Sequence, residues 1–381
     1  FLLTLAACVG LPPVPCKGDI QVRRLRCNDQ ANPQGLSTPR VRLSWRLEAD
    51  VRGARQTAFQ IRVATSEELL ARGGADLWDS GKVDSDESQW ILYRGKPLSS
   101  GARCHWTVRV WDQKGDASTW ADPASWTLGR LEAADWEGYW IASDLELKPY
   151  QRELRDKVEF GMEREGELWG VVKGIRERTK EVGEAPAVYF RREFDLPAGP
   201  RHASVSLCGL GYYELFVNGA RISDHHLAPA VSDYAKRVYT RTFDVSPFVK
   251  PGRNAIGVIL GNGWYNLIIP HVLRFYAADY IAPPKLLLNL DWEGSDGERR
   301  TLASDSDWKF TTEGPIRFNC ILGGETVDGR REMAGWSSPG FDDSSWKPAL
   351  RAEPPTGRLE AEALVPVRVV QEIPAISVVK I

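Results

Sequence analysis

Methionine and histidine are scarce in this chain, with 2 Met and 5 His among 381 residues. So few imidazoles argue against a multi-histidine metal enzyme. The 6 Cys include no Cys-x-x-Cys spacing, so the usual zinc signature is missing. No uninterrupted apolar run is long enough to span a bilayer as a helix, which excludes a polytopic helical membrane protein. An excess of charge of one sign is also missing. The 49 Lys and Arg nearly balance the 51 Asp and Glu, for a formal net charge of -2. A nucleic-acid partner is therefore not expected. Tryptophan, by contrast, is plentiful at 15 residues. Trp is retained where it fills a core or stacks on something flat and apolar, and sugar rings offer such faces. With 43% apolar and 26% charged residues the chain can bury a core and is not disordered. Its length predicts two or three domains.

The opening Phe1-Leu2-Leu3-Thr4-Leu5-Ala6-Ala7-Cys8 is apolar, with small residues ahead of a cysteine. It reads as the tail of a secretory signal. Leu5-Ala6-Ala7-Cys8 also resembles a bacterial lipoprotein box, which makes Cys8 the lipidation candidate. The expectation is an exported protein, periplasmic or held at the outer membrane as a lipoprotein; a chance apolar start is the plainer alternative. A Cys16–Cys27 bridge would suit export, and sequence does not assign it. The other end, Ile376-Ser377-Val378-Val379-Lys380-Ile381, stops inside a β-branched pattern. The expectation is a fragment cut at both ends.

Residues 17–130 read as a first β-sandwich. Arg40 to Leu47 alternates strictly, with Val41, Leu43, Trp45 and Leu47 on one face, and Phe59 to Val63 and His105 to Asp112 do the same. Turn signals at Arg72-Gly73-Gly74 and Ser99-Ser100-Gly101 separate the strands. The layout resembles a fibronectin type III domain, with Trp45 in the place of the early core Trp. Cys104 stands where the corner Tyr of such domains usually is. From 144 to 186 charged residues dominate, as in Arg152-Glu153-Leu154-Arg155-Asp156-Lys157, and opposite charges at helical spacing predict exposed, partly helical structure. A solvated excursion is the plainer account; the sharper one is a lid with Trp169 at its tip.

A second set of strands starts at Ala187. Tyr213 to Val217 leads into Asn218-Gly219, the pair favoured in a two-residue hairpin turn because both residues tolerate positive φ. Val238 to Val245, Asn254 to Leu260, Lys285 to Trp292 and Trp308 to Thr312 complete a predicted jelly roll over 131–365, with 366–381 starting a further domain. The fold class is thus all-β: a fibronectin type III-like sandwich, then a jelly-roll, carbohydrate-binding-like sandwich, with a charged, partly helical insertion. Residues 1–16 are signal remnant and linker.

Particular strings go beyond generic β patterning. They are Gly209-Leu210-Gly211-Tyr212-Tyr213, Leu227-Ala228-Pro229, Gly261-Asn262-Gly263-Trp264-Tyr265, Gly324-Glu325-Thr326-Val327-Asp328-Gly329-Arg330 and Phe341-Asp342-Asp343-Ser344-Ser345-Trp346. In this order they closely resemble the N-terminal β-sandwich of bacterial α-L-rhamnosidases. The chain departs from that pattern at Ala230-Val231, where Gly-Trp is usual, and at Val327-Asp328-Gly329-Arg330, where Tyr-Asp-Ala-Arg is usual.

The resemblance implies an inverting glycosidase that removes terminal L-rhamnose from plant glycans or glycosides. Inversion needs an acid and a base set far enough apart to admit water. In the family these lie in a helical toroid after the β domains, so no catalytic residue is carried onto this chain. The partners implied are rhamnose-containing glycans and, in cis, a C-terminal catalytic domain. Glu325 and Asp328 are expected to pair with Arg330 or Arg331, and Asp342 to Trp346 to form a turn with a packed Trp. Some sandwiches of the family resemble rhamnose-binding modules that use calcium. Val217 precedes Asn218, so no carboxylate is supplied there, and no cofactor or metal is expected. The carbohydrate-binding candidates are Asn218, Tyr239, Asn262, Trp264 and Tyr265. Adjacent His225 and His226, taken as strand residues, point to opposite faces. Two functions remain: accessory domains of an exported α-L-rhamnosidase, or a complete non-catalytic carbohydrate-binding lipoprotein.

Overall fold

A computed structural model describes residues 20–148, 151, 182–269, 278–294 and 296–377. Cys8, Trp169 and most of the charged stretch 144–186 therefore lie outside the described residues. The chain divides into two compact units, Phe1–Leu128 and Gly129–Ile381.

The first unit contains β1 (Gln21–Cys27), β2 (Arg42–Glu48), β3 (Gln56–Ala64), β4 (Trp78–Asp79), β5 (Val83–Asp84), β6 (Ile91–Leu92), β7 (Arg103–Asp112) and β8 (Ala124–Thr127). They form two sheets, β1-β2-β6 and β4-β3-β7-β8, with β5 beside β3. The alternation in β2 puts Leu43 and Trp45 inside and Arg42 and Arg46 outside. Trp45 is buried, and its indole N–H donates to Gln56 Oε1 at 3.0 Å. That bond meets the one polar requirement of an otherwise apolar ring. Trp106 and Trp126 are enclosed between the sheets, as are the free thiols Cys27 and Cys104. Burial holds both thiols protonated and pushes Cys104 up to about 12. The result is an immunoglobulin-like sandwich.

The second unit contains β9 (Ile141–Ala142), β10 (Val188–Leu196), β11 (His202–Leu210), β12 (Tyr212–Val217), β13 (Ala220–Arg221), β14 (Arg237–Asp244) and β15 (Gly252–Gly261). After these come β16 (Lys285–Glu293), β17 (Arg299–Ala303), β18 (Lys309–Thr311), β19 (Ile316–Cys320), β20 (Gly324–Val327), β21 (Lys347–Pro348), β22 (Leu350–Arg351) and β23 (Arg358–Ala361). One sheet runs β13-β12-β15-β10-β18-β21 and the other β22-β9-β16-β11-β14-β23, with β17 beside β16. Val188, Phe190, Leu215, Val258 and Leu260 of the first meet Val205, Leu207, Leu286 and Leu288 of the second. Trp308 and Phe310 fill the same core. This is a jelly-roll-like sandwich.

Two features explain how distant segments reach this unit. The short strand β9 pairs with both β16 and β22, so residues before the charged stretch share a sheet with residues long after it. Arg191 on β10 is buried and donates to Asp343, to Glu193, and to the carbonyls of Trp336 at 2.8 Å and Ser338 at 2.9 Å. A buried guanidinium is tolerated only when its donors are satisfied in this way. Asp343 thereby ties the Asp342–Trp346 turn to the sheet, and Trp346 packs beneath it. His225 and His226 follow β13 in an irregular segment rather than on a strand, and His226 bridges to Val367.

Candidate functional site

The loop after β15 is shaped by glycine. Gly211 has φ 128 and Gly263 φ 56, both in the region that L side chains rarely adopt. A Cβ on Gly211 would overlap the Gly261 carbonyl oxygen, and one on Gly263 would lie 2.9 Å from the Gly211 carbonyl carbon. The strings Gly209-Leu210-Gly211 and Gly261-Asn262-Gly263 are thus two halves of one backbone crossing.

Asn262 fixes that crossing. It is 2% exposed. Its amide nitrogen donates to Ala185 O at 3.3 Å and Asn319 O at 3.0 Å, and its amide oxygen accepts from Asn266 at 2.8 Å. Its backbone N–H donates to Asn319 Oδ1 at 2.6 Å. Gln151 extends the network by donating to Asn266 Oδ1 at 3.3 Å. Asn262 is therefore engaged on every side by the protein itself.

The next two residues carry rings. Tyr265 is buried, edge-on to Tyr234 at 5.3 Å and stacked with Tyr280 at 6.5 Å. Lys285 Nζ lies 5.8 Å from its centroid. Trp264 is half-buried, as are Tyr212 and Tyr280. Burial raises the Tyr212 phenol above its ordinary value, against the pull of a hydrogen bond with Trp264. Burial likewise raises Tyr234 and Tyr280 and lowers Lys285. All three phenols stay neutral at ordinary pH. Partly buried rings with neutral hydroxyls, here Tyr212, Trp264 and Tyr280 over the buried Tyr234 and Tyr265, are the kind of surface on which a sugar ring stacks.

The other two candidates lie elsewhere. Asn218 has φ 51 and Gly219 φ 84, the geometry of a type I′ turn. The Asn218 side chain donates to Phe248 O at 2.8 Å and Asn254 Oδ1 at 2.7 Å, and accepts from Ala255 N at 2.8 Å. The amide is thus committed to tying the turn to β15 and the segment before it, and no carboxylate stands beside it in the turn. Among the described residues no group of three His, Cys, Asp or Glu is placed to hold a metal. The hairpin does not fit a calcium site. Tyr239 is half-buried on β14 beside Glu360 of β23. Its neighbour Val238 joins the Tyr234–Tyr265 cluster, so Tyr239 points to the other face. The structure thus brings together Asn262, Trp264 and Tyr265, and not Asn218 or Tyr239. It adds Tyr212, Tyr234 and Tyr280, which the sequence reading did not single out. Tyr212 follows Gly209-Leu210-Gly211 and Tyr234 lies in Asp233-Tyr234-Ala235-Lys236-Arg237, a further string that carries the resemblance; Tyr280 lies in no motif.

The Gly324–Arg330 string forms part of an open cavity of about 650 Å³, lined by Glu184, Arg317, Thr326, Asp328 and Arg330 among others. Arg330 grips Asp328 through two bonds of 2.8 Å and holds its carboxyl down to about 2. Arg317 does the same for Glu184, lowering it. A glycosidase acid needs the opposite shift, a carboxyl kept protonated near neutral pH. Asp328 therefore belongs to a structural ion-pair network with Arg330 and Arg331, while Glu325 is exposed on β20.

Comparison with known proteins places these elements. A model described as the Rha78A-like, N-terminal immunoglobulin domain matches residues 22–132, and one described as the alpha-L-rhamnosidase N-terminal domain matches residues 198–371. The chain carries the N-terminal domains of a bacterial-type α-L-rhamnosidase. It is 34% identical to an α-L-rhamnosidase of Formosa agariphila over 91% of this chain and 35% of that protein. The structure of α-L-rhamnosidase from Dictyoglumus thermophilum superposes with a TM-score of 0.75 at 34% identity, covering 92% of this chain and 36% of that one. The Streptomyces avermitilis α-L-rhamnosidase complexed with L-rhamnose gives 0.77 at 26% identity, covering 94% and 47%. The chain spans about a third of the length of the first curated relatives it matches. Among the described residues no helix is long and apolar enough to cross a membrane.

Proposed function

We propose that this chain supplies the non-catalytic, accessory part of an exported α-L-rhamnosidase that releases terminal L-rhamnose from glycans or glycosides by inversion. The observation that carries the reading is the order of the two family domains along a chain that is 34% identical to one such enzyme over 91% of its length. The second sandwich serves as scaffold for a catalytic domain in cis. Its Trp264 face, with Tyr212 and Tyr280, offers stacking surface for rhamnose. Cys8 anchors the protein as a lipoprotein.

The test is release of nitrophenol from p-nitrophenyl α-L-rhamnoside by the full gene product and by this chain alone. The expected result is turnover by the former only. Hydrolysis by the chain alone would sink the assignment of a purely accessory role. A second reading, a carbohydrate-binding protein without turnover, is favoured by the partly buried rings around Trp264. It predicts rhamnose binding and no hydrolysis by either preparation.

A further inference from the structure

The outer face of the sheet β1-β2-β6 carries a row of arginines that the sandwich pairs only in part: Arg23 bonds Gln21 and Asp122, Arg26 the Asp29 carbonyl, and Arg42 the Asp29 carboxylate. In register, Arg23 of β1 lies directly opposite Arg46 of β2, and Arg26 opposite Ser44. Arg42 follows on the same exposed row of β2. Like charges directly opposite one another weaken an antiparallel pair. Between Arg23 and Arg26 the strand bulges, and Arg24 adopts φ 52. Arg24 and Arg46 have no ion-pair partner among the described residues.

Beside this row stands Trp90, 60% exposed and at φ 58. A bulky residue in the left-handed region is uncommon and strained. The ring is nonetheless fixed. Its backbone N–H donates to the Ser44 hydroxyl at 3.0 Å and its indole N–H to Asp29 Oδ1 at 3.1 Å. The Arg42 guanidinium lies 5.8 Å from the ring centroid. Opposed arginines and a strained, oriented, exposed Trp are two independent costs on one surface. Both are explained by a ligand that is anionic and has flat apolar faces.

We propose that this face binds a uronic-acid polysaccharide, with its carboxylates on Arg23, Arg26, Arg42 and Arg46 and a pyranose ring on Trp90. Nucleic acid shares the charge, but the patch is interrupted by Asp29, which pairs with Arg42 at 3.9 Å, and by Asp122, which pairs with Arg23 at 3.7 Å. Carboxylates borne one to a sugar ring are spaced more widely than duplex phosphates, at one per about 1.7 Å of axis, and so tolerate these interruptions better. The inference goes beyond the rhamnosidase reading, since the ligand that tests it contains no rhamnose.

The test is native affinity electrophoresis of the full chain through gels holding polygalacturonate, dextran or no polymer. Polygalacturonate is expected to retard the protein and dextran is not. The Arg23→Gln/Arg46→Gln pair should weaken retardation roughly tenfold, the scale of charge-assisted contacts. Trp90→Gly, which also relieves the backbone, should weaken it several-fold. Because Arg46→Gln removes the opposition to Arg23, its thermal midpoint should not fall, which separates loss of binding from loss of fold. No retardation by polygalacturonate, or retardation unchanged in these variants, overturns the proposal. Tighter retention by single-stranded DNA than by polygalacturonate also overturns it and assigns the face to nucleic acid.

Discussion

The second sandwich contains two asparagine–glycine turns that look alike in sequence and differ in what surrounds them. Asn218 closes a hairpin, and its amide binds Phe248, Asn254 and Ala255. Asn262 closes a glycine crossing whose next residue, Trp264, is partly buried among other rings. In both, the asparagine is a folding device. What separates them is the sequence immediately after the turn, so the proposed recognition chemistry would rest on the rings and not on the amide.

The largest effect should come from the crossing. Gly211→Ala forces a Cβ into the Gly261 carbonyl at φ 128, and a loss of about 3 kcal/mol or more in urea unfolding is expected. Asn262→Ala comes next. It leaves the Asn266 amide nitrogen and the Asn319 carbonyl oxygen each short of one buried partner, for a loss of about 2 kcal/mol. At the hairpin, Asn218→Ala should cost about 1–2 kcal/mol, and Asn218→Gly less, since glycine keeps the positive φ. If Asn262→Ala proves the milder of the two asparagine variants, the comparison fails.

A pH dependence should fall on the hairpin side alone. Burial lowers His225 from 6.5 to about 4, helped by Arg241 and Arg368 and opposed by Asp224 and Glu362. The unfolded chain thus takes up a proton that the folded chain refuses. The contribution of His225 to stability is full above pH 6.5 and is lost as pH falls toward 4. His225→Gln should flatten that part of the thermal-midpoint profile. The phenols near Trp264 are all raised from 10 and contribute nothing over this range. Trp264→Ala removes a partly buried ring that packs against two apolar clusters, and a loss of about 2 kcal/mol is expected.

Local signals were legible in the sequence. Alternation around Trp45 and the Asn218-Gly219 pair mark strands and a hairpin because their causes lie within a few residues. The bulk of β10 to β16 could be read the same way. The rest depends on partners far along the chain. Ile141–Ala142 is a strand only because β16 and β22 flank it. Arg191 is buried only because Trp336, Ser338 and Asp343 return to meet it. Tyr280 joins Tyr265 through tertiary packing that no local pattern encodes. The candidate face was therefore half legible: its glycines and Trp264 stood in a recognisable string, while its other rings did not.

The most direct test of this division is calorimetric titration of L-rhamnose into the full chain, Trp264→Ala and Asn218→Gly. The account predicts binding by the parent and by Asn218→Gly, and loss of it in Trp264→Ala with the fold intact. Equal binding by all three, or loss only in Asn218→Gly, would contradict it.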